Sequence, residues 1–478
     1  VGTLLVCDQE RKWSDYQCSI FQDVIDGAGH TIVLARAGSG KTTVLVEAIR
    51  RIPNKRAKVL AVAFNKKIQI ELEERIDKSY ITCRTLHSLG LSIVRESEKF
   101  KSIKIVPDKT RQIIYSLYND ISIEDAFLLE KTVNYCKSSI IDTPSKIDQL
   151  IDDRDIYPVE FSVDEFISAT LKVLRKCKER KDILDYGEMV WFPIVFNLQG
   201  TQYDYVFVDE LQDLTTAQIQ LAISSCKKDG RIFAFGDDLQ AIYGWNNVDI
   251  NTVFKVRDRL NAKTLSLPIS YRCPNKVIEL AKEFAKDIKA APDAKDGRIL
   301  NIKEDGLMEQ VKVGDFVLSR SNAPLIKHCM LFLRNNIKSN IQGKDLGDML
   351  RFMIKKSKKK TVKSFLDWLK DWRNSEVKRL QAKKRSPTVV YDKYDCLVSL
   401  CEDAKSLVDV EERIKELFNE GDDAERVIFS NIHQCKGLQR KNVFLLRNTF
   451  RPDKDQEEAN LLYIGITRTM DTLYFVEK

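Results

Sequence analysis

The sequence predicts an α/β fold of two doubly wound parallel-sheet domains, each interrupted by a mainly helical insertion. Three observations carry this expectation. Seven short apolar runs read as buried parallel strands, and most are followed by a polar turn and a segment of helical periodicity. A glycine-rich turn joins the first of these runs to the helical segment after it. Two long stretches keep helical spacing and carry few strand signals.

The strand-like runs are Thr31–Ala35, Val59–Phe64, Tyr205–Val208, Ile232–Phe235, Phe316–Leu318, Val427–Ser430 and Val443–Leu446. From about Ser92 to Lys181 the apolar positions recur at helical intervals, as in Ile113, Ile114, Leu117 and Tyr118. From about Leu346 to Asp423 the reading is again helical, with a dense basic run from Arg351 to Arg385 interleaved with Phe365, Trp368 and Trp372. Treating both as insertions places the first α/β domain at 1–91 and 182–259, around a helical insertion at 92–181. The second α/β domain then occupies 260–345 and 424–478, around a basic helical insertion at 346–423.

Composition bounds the function class. With 478 residues the chain exceeds one ordinary core, and 43% hydrophobic with 31% charged residues is a globular balance. No stretch approaches the roughly 18 uncharged apolar residues of a membrane span, so no membrane partner is expected. The N-terminus lacks a basic start followed by a long apolar run, so no secretory signal is expected. The 11 cysteines are scattered, without C-x-x-C pairs or Cys/His clusters at zinc spacing. They read as buried thiols in a reducing compartment, which points to the cytoplasm. The net charge of +8 is modest, and its location says more than its sum.

The sharpest motif is Ala35-Arg36-Ala37-Gly38-Ser39-Gly40-Lys41-Thr42, set between the strand Thr31–Leu34 and the helical run Val44–Ile49. That is the context of a phosphate-binding P-loop. Glycines let backbone N–H groups converge on phosphate oxygens, and the helix N-terminus adds its positive end. Ala37, Gly38, Ser39, Gly40 and Thr43 line this cradle. Lys41 reaches the β/γ-phosphates of ATP and the Thr42 hydroxyl binds Mg²⁺. Ala35 stands where the general pattern has Gly. A phosphate cradle also needs a carboxylate at the end of a neighbouring strand. Tyr205-Val206-Phe207-Val208 ends in Asp209 and Glu210, the first expected to hold Mg²⁺ and the second to polarise the attacking water.

Asp209-Glu210-Leu211-Gln212-Asp213 extends the acidic pair into D-E-x-Q-D, which resembles the UvrD/Rep-like DNA helicases of superfamily 1. Further segments follow in that family's order over nearly the whole chain. They are Asp15-Tyr16-Gln17, Ala63-Phe64-Asn65-Lys66-Lys67, Thr85-Leu86-His87-Ser88-Leu89-Gly90, Phe235-Gly236-Asp237-Asp238-Leu239-Gln240-Ala241-Ile242-Tyr243-Gly244-Trp245 and Ser270-Tyr271-Arg272. Later come Val317–Ala323, His433-Gln434-Cys435-Lys436-Gly437-Leu438-Gln439, Glu457-Glu458 and Leu462–Arg468.

The resemblance implies two RecA-like P-loop motor domains with ATP and DNA in the clefts between them, and 3′→5′ travel. It implies that Gln17 reads the adenine edge, that Gln240 orients the attacking water or senses the γ-phosphate, and that Tyr271 stacks on the base. Arg272 and Arg468 are implied as γ-phosphate ligands supplied from a second domain, so that transition-state charge is stabilised when the domains close.

A motor on single strands needs stacking platforms and backbone donors. Phe64 and Trp245 are the candidate stacking residues, with Tyr243 in support; for Phe64 and Tyr243 the alternative is core packing. Asn65, Thr85, His87, His433 and Lys436 are candidate phosphate or sugar contacts, and for His87 and His433 the alternative is a satisfied core histidine. Two departures from the family stand out. Asn246-Asn247 follow Trp245 where Arg-Gly is common, and Gln439 replaces the usual Glu expected near the ribose hydroxyls or DNA. The first leaves a charge contact near the ATP–DNA junction missing or supplied elsewhere.

The expected activity is therefore DNA-stimulated ATP hydrolysis, with single-stranded DNA and single/double-strand junctions as partners, beside replication, repair or defence proteins. Two rivals stay open: a translocase that strips proteins without unwinding, and a nucleotide-switched DNA-binding component of a larger complex. The chain ends ten residues after Arg468, so no C-terminal nuclease domain is expected.

Overall fold

The computed structural model describes residues 12–63, 66–75, 81–100, 102–154, 156, 158–242, 248–382, 387–419 and 425–478. The chain divides into two compact units, Val1–Pro268 and Ile269–Lys478. In the first unit the strands are β1 (Thr31–Ala35), β2 (Val59–Ala63), β3 (Ile81–Thr85), a short pair β4 (Lys104–Ile105) and β5 (Ile183–Leu184), then β6 (Tyr203–Val208), β7 (Cys226–Gly236) and β8 (Lys263–Leu267). Six of them form a parallel sheet in the order β3-β2-β6-β7-β1-β8.

Both faces of this sheet are covered, which is why its strands read as unbroken apolar runs rather than alternating ones. Successive side chains still go to opposite sides. Val33, Val59, Ala61, Phe207, Phe233 and Phe235 join the core under helices Asp15–Asp26 and Lys41–Arg50. Ile32, Leu60, Val62, Val206, Ile232 and Ala234 join the opposite core, under helices Leu86–Glu96 and Thr216–Ser224.

The first insertion is helical, as expected, with helices Lys109–Leu117, Ile123–Ser139, Pro144–Asp153 and Val163–Glu179 around a core of their own. Helix Tyr186–Val195, which the sequence boundaries give to the α/β domain, serves both sides. Trp191 and Phe192 enter the insertion core, while Val190 packs under the sheet. A buried ionic cluster fixes the junction: Lys109 Nζ lies 2.7 Å from Glu188 Oε2, and Lys137 Nζ lies 2.6 Å from Asp185 Oδ2 and 3.0 Å from Glu188 Oε1.

One sequence-based boundary needs correction. Strand β8 pairs with β1 from Thr31↔Lys263 to Ala35↔Leu267, so the first α/β domain runs to Pro268 rather than residue 259. As Lys-Thr-Leu-Ser-Leu at a partly exposed sheet edge, it offers no continuous apolar run.

The second unit contains the short pair β9 (Ile269–Ser270) and β10 (Lys289–Ala290), followed by β11 (Arg298–Lys303), β12 (Phe316–Ser319) and β13 (Ser339–Ile341). After the second insertion come β14 (Val427–Asn431), β15 (Arg440–Leu446) and β16 (Thr469–Glu477). They form a parallel sheet in the order β11-β16-β15-β12-β14-β13. Its insertion comprises helices Lys344–Ser357, Val362–Ala382, Thr388–Cys401 and Leu407–Leu417. Unlike the first, it shares one continuous core with its sheet: Phe365, Leu369, Leu397 and Ile414 pack in the same cluster as Val317, Phe429 and Phe444.

The ten cysteines among the described residues are free thiols, seven of them buried. Among the described residues no helix is long and apolar enough to cross a membrane.

Candidate active site

The phosphate cradle forms where β1 ends. Gly38 and Gly40 take φ values of 75° and 77°, a left-handed conformation that costs an L-residue roughly 1–2 kcal/mol. A Cβ on Gly40 meets nothing within 4 Å, so the dihedral alone requires glycine there. Helix Lys41–Arg50 then starts with no side-chain cap on its first N–H groups. Ser39 is buried, and its Oγ has no hydrogen-bond partner among the described residues. Uncapped N–H groups and an orphaned hydroxyl at the head of a helix suit a bound phosphate chain.

Two strands away, β6 delivers the acids. Asp209 is fully buried, and Thr42 Oγ1 donates to its Oδ2 at 3.2 Å. Burial first, and then the Glu210 charge, push its carboxyl up to about 6, with Lys41 pulling the other way. A hydroxyl and a carboxylate this close can turn to one divalent cation, which would relieve a buried charge held so far from water. Glu210 follows with φ 52° and ψ 45°, a left-handed conformation costing a non-glycine residue about 1–3 kcal/mol. Its Oε2 lies 2.6 Å from Lys41 Nζ. Burial opposes the Lys41 charge, but Glu210 and Asp209 outweigh it and hold the ammonium above its ordinary pKa.

A second layer of contacts joins this centre to the end of β7. Gln212 Nε2 donates to Glu210 Oε2 at 2.5 Å, and Gln212 Oε1 accepts from Asp237 N at 3.0 Å. Gln240 Nε2 donates to Asp237 Oδ2 at 2.7 Å, which brings the expected γ-phosphate sensor into the same network. Arg36 of the P-loop closes it, with NH1 at 3.1 Å from Asp237 Oδ1 and 2.8 Å from Asp238 Oδ1. Burial pushes the Asp237 carboxyl up, against the pull of Arg36 and Lys41.

Arg36, Gln212, Asp237 and Asp238 lie within the sequence motifs, but no local pattern assigns them a role. A cation inside a phosphate loop and two adjacent acids at a strand end were the available signals. The separation of 201 positions from Arg36 to Asp237 hid their pairing.

The structure brings Lys41, Thr42, Asp209, Glu210 and Gln240 together in this way. Gln17 lies on helix Asp15–Asp26, which packs against the P-loop helix, and its Oε1 accepts from Ser14 N at 2.9 Å in a capping box. Thr85 caps helix Leu86–Glu96, its Oγ1 accepting from Ser88 N at 3.3 Å. His87 borders a groove of about 420 Å³ together with Asn134, Tyr186, Asp213 and Gln218, and desolvation lowers its imidazole pKa. Phe64, Asn65, Tyr243 and Trp245 lie outside the described residues.

The remaining candidates gather in the second unit. Tyr271 is 47% exposed. Arg272 NH1 donates to Thr467 O at 3.2 Å, and Arg468 NH2 lies 3.5 Å from Thr467 Oγ1. Arg468 is 1% exposed, and donates through Nε to Ile464 O at 3.1 Å and through NH1 to Leu438 O at 3.2 Å. Among the described residues it forms no ion pair with a carboxylate. Leu438 belongs to the turn after β14 that also carries His433, Lys436 and Gln439, with Gly437 at φ 86°. Arg272, Arg468 and this turn thus form one neighbourhood.

Comparison with known proteins finds matches in both units. Residues 19–261 match the family model of the UvrD/REP helicase N-terminal domain, and residues 426–476 that of the UvrD-like helicase C-terminal domain. The chain is 24% identical to F-box DNA helicase protein 1 of Schizosaccharomyces pombe, over 92% of this chain and 55% of that protein. It is 24% identical to the ATP-dependent DNA helicase PcrA of Staphylococcus aureus, over 54% of this chain and 38% of that protein. A probable DNA helicase II homolog of Rickettsia felis is also 24% identical, over 56% of this chain and 44% of its own length. The matches span about half or less of the length of these relatives.

Proposed function

This chain belongs to the UvrD/REP helicase family, and from that premise we propose that it hydrolyses ATP to travel 3′→5′ along single-stranded DNA and separate strands at junctions. The observation that carries the proposal is the convergence of Lys41, Thr42, Asp209 and Glu210 at the head of one glycine-built turn. The P-loop backbone and Lys41 hold the β/γ-phosphates. Thr42 and Asp209 would hold Mg²⁺, which when bound offsets charge developing on the transferred phosphoryl group.

Glu210 takes a proton from the water that attacks the γ-phosphorus, as the bond to the β-phosphate oxygen breaks and ADP leaves. In the structure Glu210 is engaged by Lys41. A phosphate that claims Lys41 therefore also frees the base. Arg468 and Arg272 supply positive charge from the second unit, and Tyr271 a face for the adenine, with Gln17 at its edge. On the DNA side, Phe64, Tyr243 and Trp245 stack on bases, while Asn65, Thr85, His87, His433 and Lys436 grip the backbone without sequence preference.

The test is phosphate release with and without single-stranded DNA, comparing wild type, Glu210→Gln and Trp245→Ala, followed by strand displacement on a tailed duplex. Strong DNA stimulation, abolished by the first change and weakened by the second, with displacement from a 3′ tail, is the expected result. Hydrolysis indifferent to DNA would overturn the motor reading. Stimulation without displacement would reduce it to translocation alone.

A further inference from the structure

Arg36 is fixed at both backbone ends: its N–H donates to Leu267 O at 3.0 Å, and its carbonyl accepts from Ser39 N at 3.1 Å. Its side chain is 10% exposed and pairs with Asp237 and Asp238, which follow β7. Asp237 is itself fully buried, and its other oxygen holds Gln240. The contacts then run from Asp237 N to Gln212, from Gln212 to Glu210, and from Glu210 to Lys41, which returns to the P-loop. The result is a closed circuit with two anchors on one phosphate loop.

The anchors differ in kind. Lys41 is the residue that nucleotide phosphates compete for, so its link to Glu210 opens when they bind. The Arg36 guanidinium is taken up by the two aspartates, so its link need not open. We propose that Arg36 is a positioning residue for energy coupling: it clamps the Asp237–Gln240 segment to the P-loop. A change at Lys41 and Glu210 is then passed to the Asp237–Gln240 segment rather than absorbed by slack.

This rests on the reading of the chain as a DNA-stimulated ATPase, and it gives that site an internal coupling element.

The experiment compares wild type, Arg36→Gln, Arg36→Lys and Asp238→Asn in steady-state ATP hydrolysis, with and without a saturating thymidine oligonucleotide. Thermal unfolding is followed in parallel. Arg36→Gln should lower the DNA-stimulated kcat by about tenfold or more, a coupling loss of ordinary size, while KM for ATP changes less than kcat. Arg36→Lys should restore part of the stimulation. Asp238→Asn, at the more exposed partner, should reproduce a smaller version of the loss and adds an independent reading should Arg36→Gln fold poorly. An unchanged stimulation ratio in both Arg36→Gln and Asp238→Asn would overturn the proposal. So would a loss carried equally by KM, or one that tracks unfolding temperature and is not restored by Lys. A wild type that DNA does not stimulate would instead remove the functional reading itself, before any variant is made.

Discussion

In the first unit the two cations of the phosphate loop are matched by acids: Lys41 by Glu210, and Arg36 by Asp237 and Asp238. In the second unit Arg468 is almost completely buried, and its described partners are two carbonyls and a hydroxyl. An ion withdrawn from water without a counter-ion is costly, and carbonyl dipoles offset only part of that. The first arrangement is compensated by its own acids, and the second leaves a buried guanidinium among neutral partners.

The largest way to test this contrast is to remove the uncompensated cation. Arg468→Ala should lower DNA-stimulated kcat by about 10³-fold, the scale of an arginine finger. A loss under tenfold in phosphate release would mean that the charge serves folding instead. Glu210→Gln attacks the compensated side and should cost about 10²-fold or more in the same assay, with ATP affinity kept. Retained turnover would show that Lys41 pairs with an acid the chemistry does not use.

The two insertions extend the comparison from the site to the frame. The first is tied down by Lys109, Lys137, Asp185 and Glu188 in a dry junction; the second has no such cluster among its described residues and merges with its sheet through apolar side chains. Lys137→Met removes one partner of a buried set and should destabilise the first unit by about 3–5 kcal/mol in urea unfolding followed by circular dichroism. A change under 1 kcal/mol would show the cluster to be replaceable.

The outside of the second insertion differs again. Residues 351–385 hold 14 Lys and Arg against three Asp and Glu, more net charge than the +8 of the whole chain. Replacing Lys355, Lys356, Lys359 and Lys360 by Ala should flatten the dependence of single-stranded DNA affinity on salt by about 0.7 for each phosphate no longer neutralised. Fluorescence anisotropy across a salt series measures it, and an unchanged slope would leave these lysines as a solvated face.

The smallest expected effect is in pH. Within its buried cluster Asp185 is opposed by burial but favoured more by Lys137 and Thr110, so its carboxyl sits below the ordinary value. A depressed carboxylate contributes stability above its unfolded pKa of about 3.9 and loses it as pH falls through the lower folded value. Asp185→Asn should therefore narrow the stability difference between pH 6 and pH 3 in chemical denaturation. An identical pH profile in the variant would argue against the assignment.

Much of the scaffold was legible because its central strands are buried on both faces. Val59–Ala63 and Ile232–Phe235 have no room for a polar residue, so they stand out as runs. Edge strands have one row open to solvent, and Lys263–Leu267 and Arg298–Lys303 carry too many polar residues to be seen. The chemistry followed the same division. That Lys41 and Glu210 meet could be expected because each sits in a local pattern with its own logic. The Arg36–Asp237 pair could not, because no local pattern records which cation a distant acid will meet.

Helix Tyr186–Val195 places Trp191 and Phe192 in one core and Val190 in another, and the short connection at 196–202 leads from it straight into β6 and Asp209. The first insertion is thus geared to the sheet rather than hung from it. A load on that insertion therefore has a short route through the chain to the buried acid at the end of β6.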